Sequence, residues 1–492
     1  MTNNNYDVVI VGAGFSGLSA AIQLKEKGKS FIVLEARNRV GGRSWTEQYI
    51  DQATGETCWI DMGAQWVEKT QTEIIALADK MNIRWDVDGQ PRDGKLLFIF
   101  KNEPYEIEIG KAPNKNYFPM LCSFMETHFL KDFQEYHEAE KKMDKMAGFF
   151  DSGYPWKASK GAQKDAQKEI NEWDSMTAQS WMNSNMKTDG AKFLFRIKCL
   201  LCFAVPPSDI SFLHVLHYIN CAGLSATLSN ATQYRIEGGT QAIADAVYRE
   251  LSSHIRLNEP VRQVHQPDPN LTKSGEIGIT LVKTDLHTYK AKQVIMAIPP
   301  AIVPNINFIP QLPARRVQFN QRMPMGSSIK CHLVYDKPFW EDKGYCGIAI
   351  SDSHLVPFIA NNSIPGREKP AVLGCFIDST KVRDLMNMTD EELEKLVTEE
   401  IRSVFKHVLP TVPKPKKVYI ANWSKEIWSG GCYAGIMPPG VWTGYKNTLR
   451  ESVGAIHWAT TETSPKWFAY MEGAVRAGKT AADNVPNILK KE

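Results

Sequence analysis

The sequence predicts an α/β fold, on three observations. A β-branched run, Tyr6-Asp-Val-Val-Ile-Val11, leads into the turn Gly12-Ala-Gly-Phe-Ser-Gly17 and a helical pattern, the order of a βαβ dinucleotide-binding unit. The middle of the chain, about 124 to 230, is patterned for helices, and 234 to 298 mainly for short strands. The 492 residues amount to about three units of roughly 150 residues, or to two larger interleaved ones.

Composition narrows the class. With 43% apolar and 23% charged residues there is enough core-forming material to order the chain, which excludes global disorder. Lys+Arg 58 against Asp+Glu 55 leaves +3, too small an excess to mark a nucleic-acid or anionic-membrane partner. The nine cysteines are odd in number and scattered through apolar runs, as expected of reduced thiols in a cytoplasmic chain. Cys199 and Cys202 form a CxxC with no second pair to complete a zinc site, so they read as core packing, and no metal site is expected.

Taken in order, the first strand and turn are followed by a helix over Leu18 to Glu26 and a second buried strand, Ser30 to Glu35. The run Val8 to Leu24 carries glycines at motif spacing and no preceding basic region, so it is neither a signal peptide nor a membrane span. Phe129, Phe133, Tyr136, Met143 and Met146 recur at helical spacing within an amphipathic helix from about Phe124 to Met146. Asp151 to Glu172 reads as a surface connection plus a helix. Helices continue to about Asn230, broken at Pro206-Pro207, with Ser208 or Asp209 placed to cap the next one. Ile277, Ile279 and Leu281 are expected on one strand face, and Val294 to Ile298 as a buried strand. A capping box, Thr389 to Glu392, opens an amphipathic helix through Val404. The uncharged stretch Ser211 to Tyr234 is too rich in His, Asn, Ser and Thr for lipid, and the tail Asn487 to Glu492 is not apolar, so no membrane span is expected.

The chemistry begins at the first turn. Gly12 permits the turn, Gly14 lets a pyrophosphate approach the backbone, and Gly17 lets helix and sheet pack closely. Glu35, at the end of the second strand, is placed to accept hydrogen bonds from a ribose. Beyond it, Ala36-Arg-Asn-Arg-Val-Gly-Gly-Arg43 adds two glycines and a guanidinium able to grip pyrophosphate oxygens bidentately.

That E-A-R-x-R-x-G-G-R pattern resembles the FAD-dependent amine oxidases, and Asp61-Met-Gly-Ala-Gln-Trp66 resembles the segment near the flavin ring, with Ala64 where the family has a glycine. The C-terminal part is similar to the flavin-containing monoamine oxidase family: Asn422-Trp423, Ser429-Gly-Gly-Cys-Tyr433, Met437-Pro-Pro-Gly440, Glu462-Thr463 and Tyr470-Met-Glu-Gly-Ala-Val475 occur in order. Ala459-Thr-Thr-Glu-Thr463 carries Thr460 where the family has a glycine.

The resemblance implies an α/β Rossmann-like FAD-binding domain, residues 1–80, 232–298 and 418–492, with an inserted α+β substrate domain, 81–231 and 299–417, whose mixed sheet is covered by helices. It implies FAD held by Gly12, Gly14, Ser16, Gly17, Glu35, Ala36, Arg37, Gly42, Arg43, Gly63, Ala64, Val261, Trp423, Glu462 and Met471, and linked covalently to the Cys432 thiolate. Lys330 would hold a water at flavin N5, and Tyr433 and Tyr470 would form an aromatic pair in front of the ring, with Trp66 and Leu228 also meeting substrate. The helix after Met471 would point its amides at the flavin's pyrimidine oxygen.

The implied reaction oxidises a primary, or secondary, amine to an imine that hydrolyses to a carbonyl compound, with oxygen reduced to hydrogen peroxide. The expected partners are therefore a small amine and oxygen, with a homodimer left open. A polyamine oxidase would need an acidic residue far from the flavin and an L-amino acid oxidase an Arg clamp, and neither is placed by the sequence. A flavin-binding regulatory protein without turnover would need only the dinucleotide site, not the further set Lys330, Cys432, Tyr433 and Tyr470. The uncharged stretch Phe212 to Leu228, with Leu213, Val215, Leu216, Tyr218, Ile219, Leu224 and Leu228, is expected to line the way to the cavity and to favour an apolar amine.

Overall fold

A computed structural model of the chain describes residues 5–89, 93–108, 128–267, 278–364 and 370–486. Ile277, Cys122, the start of the helix expected from Phe124 and the tail Asn487 to Glu492 lie outside them.

The βαβ unit forms as its patterning requires. Strand β1 (Asn5–Val11), helix α1 (Phe15–Glu26) and strand β2 (Phe31–Leu34) follow one another, and β2 and the Val8–Val11 part of β1 are fully buried because helices cover the sheet. β1 pairs in parallel with β2 on one side and with Thr288–Met296 on the other, at the centre of an eight-stranded sheet. Gly12 turns at φ +100°, and a Cβ on Gly17 would stand 1.9 Å from the Gly12 carbonyl, so α1 seats against the turn only through glycines. α1 lies against the C-terminal helix Met471–Asn484, where a Cβ on Gly478 would stand 2.0 Å from the Ser16 carbonyl.

The second sheet is mixed and seven-stranded, in the order Lys417–Asn422, Ile329–Tyr335, Ala371–Phe376, Phe358–Asn361, Tyr345–Ser351, Lys95–Phe100, Glu103–Glu108. One face packs on Leu393, Val397, Ile401 and Val404 of the helix Asp390–Phe405, which Thr389 and Glu392 open with a reciprocal capping box. The opposite face, through Leu96, Phe98, Ile350 and Phe358, packs in one core with the helices Leu130–Ala147, Asp189–Phe203 and Phe212–Cys221. Sheet membership parts from the expected boundaries by a strand at each: Asn307–Ile309 joins the first sheet and Lys417–Asn422 the second.

Three local expectations are corrected. The helix after Pro206-Pro207 is capped by Ser211, whose side chain accepts from the Leu213 amide; Ser208 bonds Asp209 instead, inside the turn that precedes it. The strand-rich stretch contains a helix, Gln241–Leu251, which buries Ile243, Val247 and Leu251. In the strand Thr280–Thr284 the buried face is Thr280 and Val282, while Ile279 is 48% exposed; with a side-chain period of two, a one-residue offset reverses the faces.

Candidate active site

One cavity of about 370 Å³ begins at the glycine turn, passes between the two sheets and ends among the helices. At its first end lie Gly12, Gly14, Ser16, Glu35, Ala36 and Arg37. The first turn of α1 has no side-chain cap, so its amides remain available where Phe15 and Ser16 line the space. A Cβ on Gly14 would meet nothing nearer than 3.9 Å, so this glycine leaves room for a group lying on the turn. Glu35 is fixed by the amides of Ala13 at 2.7 Å and Arg37 at 2.9 Å, and Arg37 reaches on to Glu426 and Ser429. Gly17 packs behind the turn rather than lining the cavity. Val261 lines it from the start of the strand Val261–His265.

Farther in stand Gly42, Arg43, Gly63, Ala64, Trp423, Cys432 and Met471. Arg43 does not offer its fork as the sequence suggested: Nη1 and Nη2 donate to the Glu462 carboxylate at 2.7 and 3.2 Å, and Nη1 also to the Tyr433 carbonyl at 2.9 Å. Glu462 is fully buried and meets Arg43 from behind; burial acts to raise its pKa, but Arg43 and the Gly435 amide hold it below the ordinary value. Trp423 is held by its indole N–H on the Met62 carbonyl, 3.0 Å away. The helix Met471–Asn484 opens without a side-chain cap, with Met471 and Ala474 at the cavity wall. Next to Met471, the buried Glu472 is turned away to accept the Glu73 and Ile74 amides.

Cys432 is buried against Arg43 and Lys330, and its peptide bond to Tyr433 is cis. Burial pushes its pKa up to about 12, although both cations draw it down, so the resting group is a thiol rather than the thiolate expected.

Lys330 lies on an interior strand, between Ala371–Phe376 and Lys417–Asn422, and all seven side chains of Ile329–Tyr335 are buried. Its ammonium donates to the carbonyls of Asp61 at 2.6 Å and Gly63 at 2.9 Å, and to Gln65 Oε1 at 2.8 Å. Burial lowers its pKa to about 7, with the Asp61 carboxylate raising it and Arg235 lowering it further. Behind it lies a network that the sequence reading missed. Gln65 Nε2 donates to Asn362 Oδ1 at 2.7 Å, and Asn362 Nδ2 lies 3.0 Å from His332 Nδ1. His332 Nε2 lies 3.0 Å from the Asp61 carbonyl, so Nε2 donates and Nδ1 accepts, as suits an imidazole that burial keeps neutral. The signal in the sequence was a histidine two residues after Lys330 inside an apolar strand.

Tyr433 and Tyr470 line the same cavity with Trp66 and Leu228. Tyr433 meets Phe376 edge-on at 6.1 Å, and Tyr470 lies 5.8 Å from Tyr218. Burial raises the pKa of both phenols well above the ordinary value, so they stay neutral. Of the seven residues named in the uncharged stretch, only Tyr218 and Leu228 line the cavity. Leu213, Val215, Leu216 and Ile219 are core, since the helix Phe212–Cys221 turns only one face to the cavity, and Leu224, opening the next short helix, is 40% exposed. Cys202 also lines it, whereas Cys199 is core as expected. Among the described residues no group of His, Cys, Asp and Glu forms a metal site, and no helix is long and apolar enough to cross a membrane.

The family described as flavin containing amine oxidoreductase matches residues 15–486. The chain is 33% identical to a flavin-containing amine oxidase of Oncorhynchus mykiss, over 98% of this chain and 86% of the relative. It is 32% identical to flavin-containing amine oxidase B of Homo sapiens, over 99% and 88%. Among solved structures it superposes on putrescine oxidase bound to putrescine with a TM-score of 0.81, 26% identity and 98% and 99% coverage. Cyclohexylamine oxidase from Brevibacterium oxydans gives 0.80, 25% identity and 98% of both chains.

Proposed function

The chain belongs to the flavin-containing amine oxidoreductase family, and from that premise we propose that it oxidises primary or secondary monoamines carrying an apolar group, with oxygen as acceptor and hydrogen peroxide as product. It is an FAD-dependent enzyme acting on amines. Bound FAD supplies the acceptor for the electron pair leaving the amine, chemistry that no side chain of the chain offers.

The chain's own residues bind, orient and exclude water. The uncapped turn of α1 with Gly14 would hold the pyrophosphate, Glu35 the ribose and Val261 the adenine. Gly42, Arg43, Gly63, Ala64, Trp423 and Met471 would hold the ring, with Arg43 kept in place by Glu462. Cys432 would carry the covalent thioether after losing its proton. Tyr433 and Tyr470 are neutral, so they serve the amine with ring faces rather than as bases. Lys330, tied to Asp61, Gly63 and Gln65, would order a water where oxygen is reduced. Residues 1–80, 232–298 and 418–492 would serve mainly the cofactor, and 81–231 with 299–417 the amine. The cytoplasm is the proposed location, on the scattered, odd-numbered cysteines.

The observation that carries this reading is that one cavity joins the glycine turn to Lys330, Cys432, Tyr433 and Tyr470. Its test is a panel assay of peroxide release. We expect kcat/KM for an arylalkyl or medium alkyl monoamine to exceed that for putrescine at least ~10-fold, the scale of one modest polar mismatch. Equal or better turnover of putrescine would overturn the monoamine assignment.

A further inference from the structure

The helical end of the cavity is not purely apolar. The helix Asp189–Phe203 turns Lys198, Leu201 and Cys202, spaced three and four apart, towards the space. Lys198 Nζ donates at 2.7 Å to Glu140 Oε1 on the facing helix Leu130–Ala147. The two side chains are only 12% and 18% exposed. Tyr136 donates to the same carboxylate oxygen at 3.4 Å. Burial works against the Lys198 charge, but Glu140, with Cys202 and Asp144, outweighs it and holds the pKa above lysine's ordinary value, so the ammonium persists.

Electrostatic neighbours place this pair away from the lysine strand. Cys432 is within reach of Lys330, Tyr433 of Cys432 and Cys202, and Cys202 of Lys198. Lys198 lines the cavity on the helical side of the aromatic pair, with Glu140 paired behind it, on the side where the far end of an extended amine would lie. Among the described side chains lining the cavity, Glu35 is the carboxylate, against Arg37, Arg43, Lys198, Arg262 and Lys330. Glu35 belongs to the glycine turn and is already held by two amides. A second ammonium buried in this cavity needs a counter-charge, and the carboxylate that Lys198 meets at the helical end is already neutralised.

We propose that Lys198 determines substrate charge: by occupying Glu140 it denies the distal ammonium of a diamine its partner, and so restricts the enzyme to amines with an uncharged far end. This rests on the amine-oxidising reading of the same cavity. Removing the Lys198 charge would expose a carboxylate suited to a diamine.

The test compares putrescine with butylamine, similar chains differing in the second ammonium, through the rate of anaerobic loss of flavin colour in the intact holoenzyme. In Lys198→Met the putrescine-to-butylamine ratio of second-order bleaching rate constants should rise at least ~10-fold, the scale of a hydrogen bond to a charged group. In the double variant Lys198→Met with Glu140→Gln that gain should vanish. Glu140→Gln alone, which removes the carboxylate charge facing Lys198, should lower the ratio, and Lys198→Arg should keep it. An unchanged ratio in Lys198→Met, a gain surviving in the double variant, or a rise in Glu140→Gln overturns the proposal. A wild type that prefers putrescine overturns both the monoamine assignment and this restriction, whereas a wild type that prefers butylamine with an unchanged ratio in Lys198→Met overturns the role of Lys198 alone.

Discussion

Lys330 shows how far a residue can be read before folding. Its type and its place after an apolar run were visible, but its three acceptors come from Asp61, Gly63 and Gln65, more than 260 positions away. Burial brings its pKa down from 10.5 to about 7. Between those values the unfolded chain keeps a proton that the folded protein has released, so this group makes stability rise with pH across the window. The melting temperature of the wild type should therefore gain on that of Lys330→Met between about pH 7 and about pH 9. Parallel curves would show that the group titrates as an ordinary lysine. Cys432 was legible for a different reason: the glycines before it are a local pattern, and Gly431 adopts φ +138° with no room for a Cβ against the Gly326 carbonyl. The covalent role proposed for it predicts that acid-precipitated protein stays yellow, and that Cys432→Ala sheds flavin into the supernatant. Free flavin from the wild type would remove the linkage.

Elements were read well where their own residues decide them. The box formed by Thr389 and Glu392 is four residues long and was visible as such; the Thr389 side chain accepts the Glu392 amide and Glu392 returns a bond to the Thr389 amide. Thr389→Ala should cost about 1 kcal/mol in chemical denaturation, since the Glu392 amide at the helix start loses its partner. A loss near zero would mean that packing on the second sheet alone holds this helix. The helix Gln241–Leu251 carried a sufficient signal in the spacing of Ile243, Val247 and Leu251, but it is flanked by strands that set the reading of the whole stretch. The strand Thr280–Thr284 failed by parity alone: both faces carry apolar residues, and only the neighbours Val264 and Tyr289 decide that Val282 faces inward.

At the scale of the molecule, the α/β class followed from the first 35 residues, whereas the partition of strands between sheets did not, because it depends on pairings distant in sequence. Lys417–Asn422 pairs with Ile329–Tyr335 and so brings Trp423 beside the lysine strand, while Asn307–Ile309 stays with the first sheet. The same long-range assembly draws the glycine turn, Lys330, Cys432 and both tyrosines onto one cavity. That these residues form a single working site for an amine and FAD is tested most directly by mixing the purified holoenzyme with a primary arylalkyl amine in the absence of oxygen. The visible flavin absorbance should bleach and return when oxygen is admitted, with peroxide formed; flavin that stays fully coloured with every amine offered would contradict it.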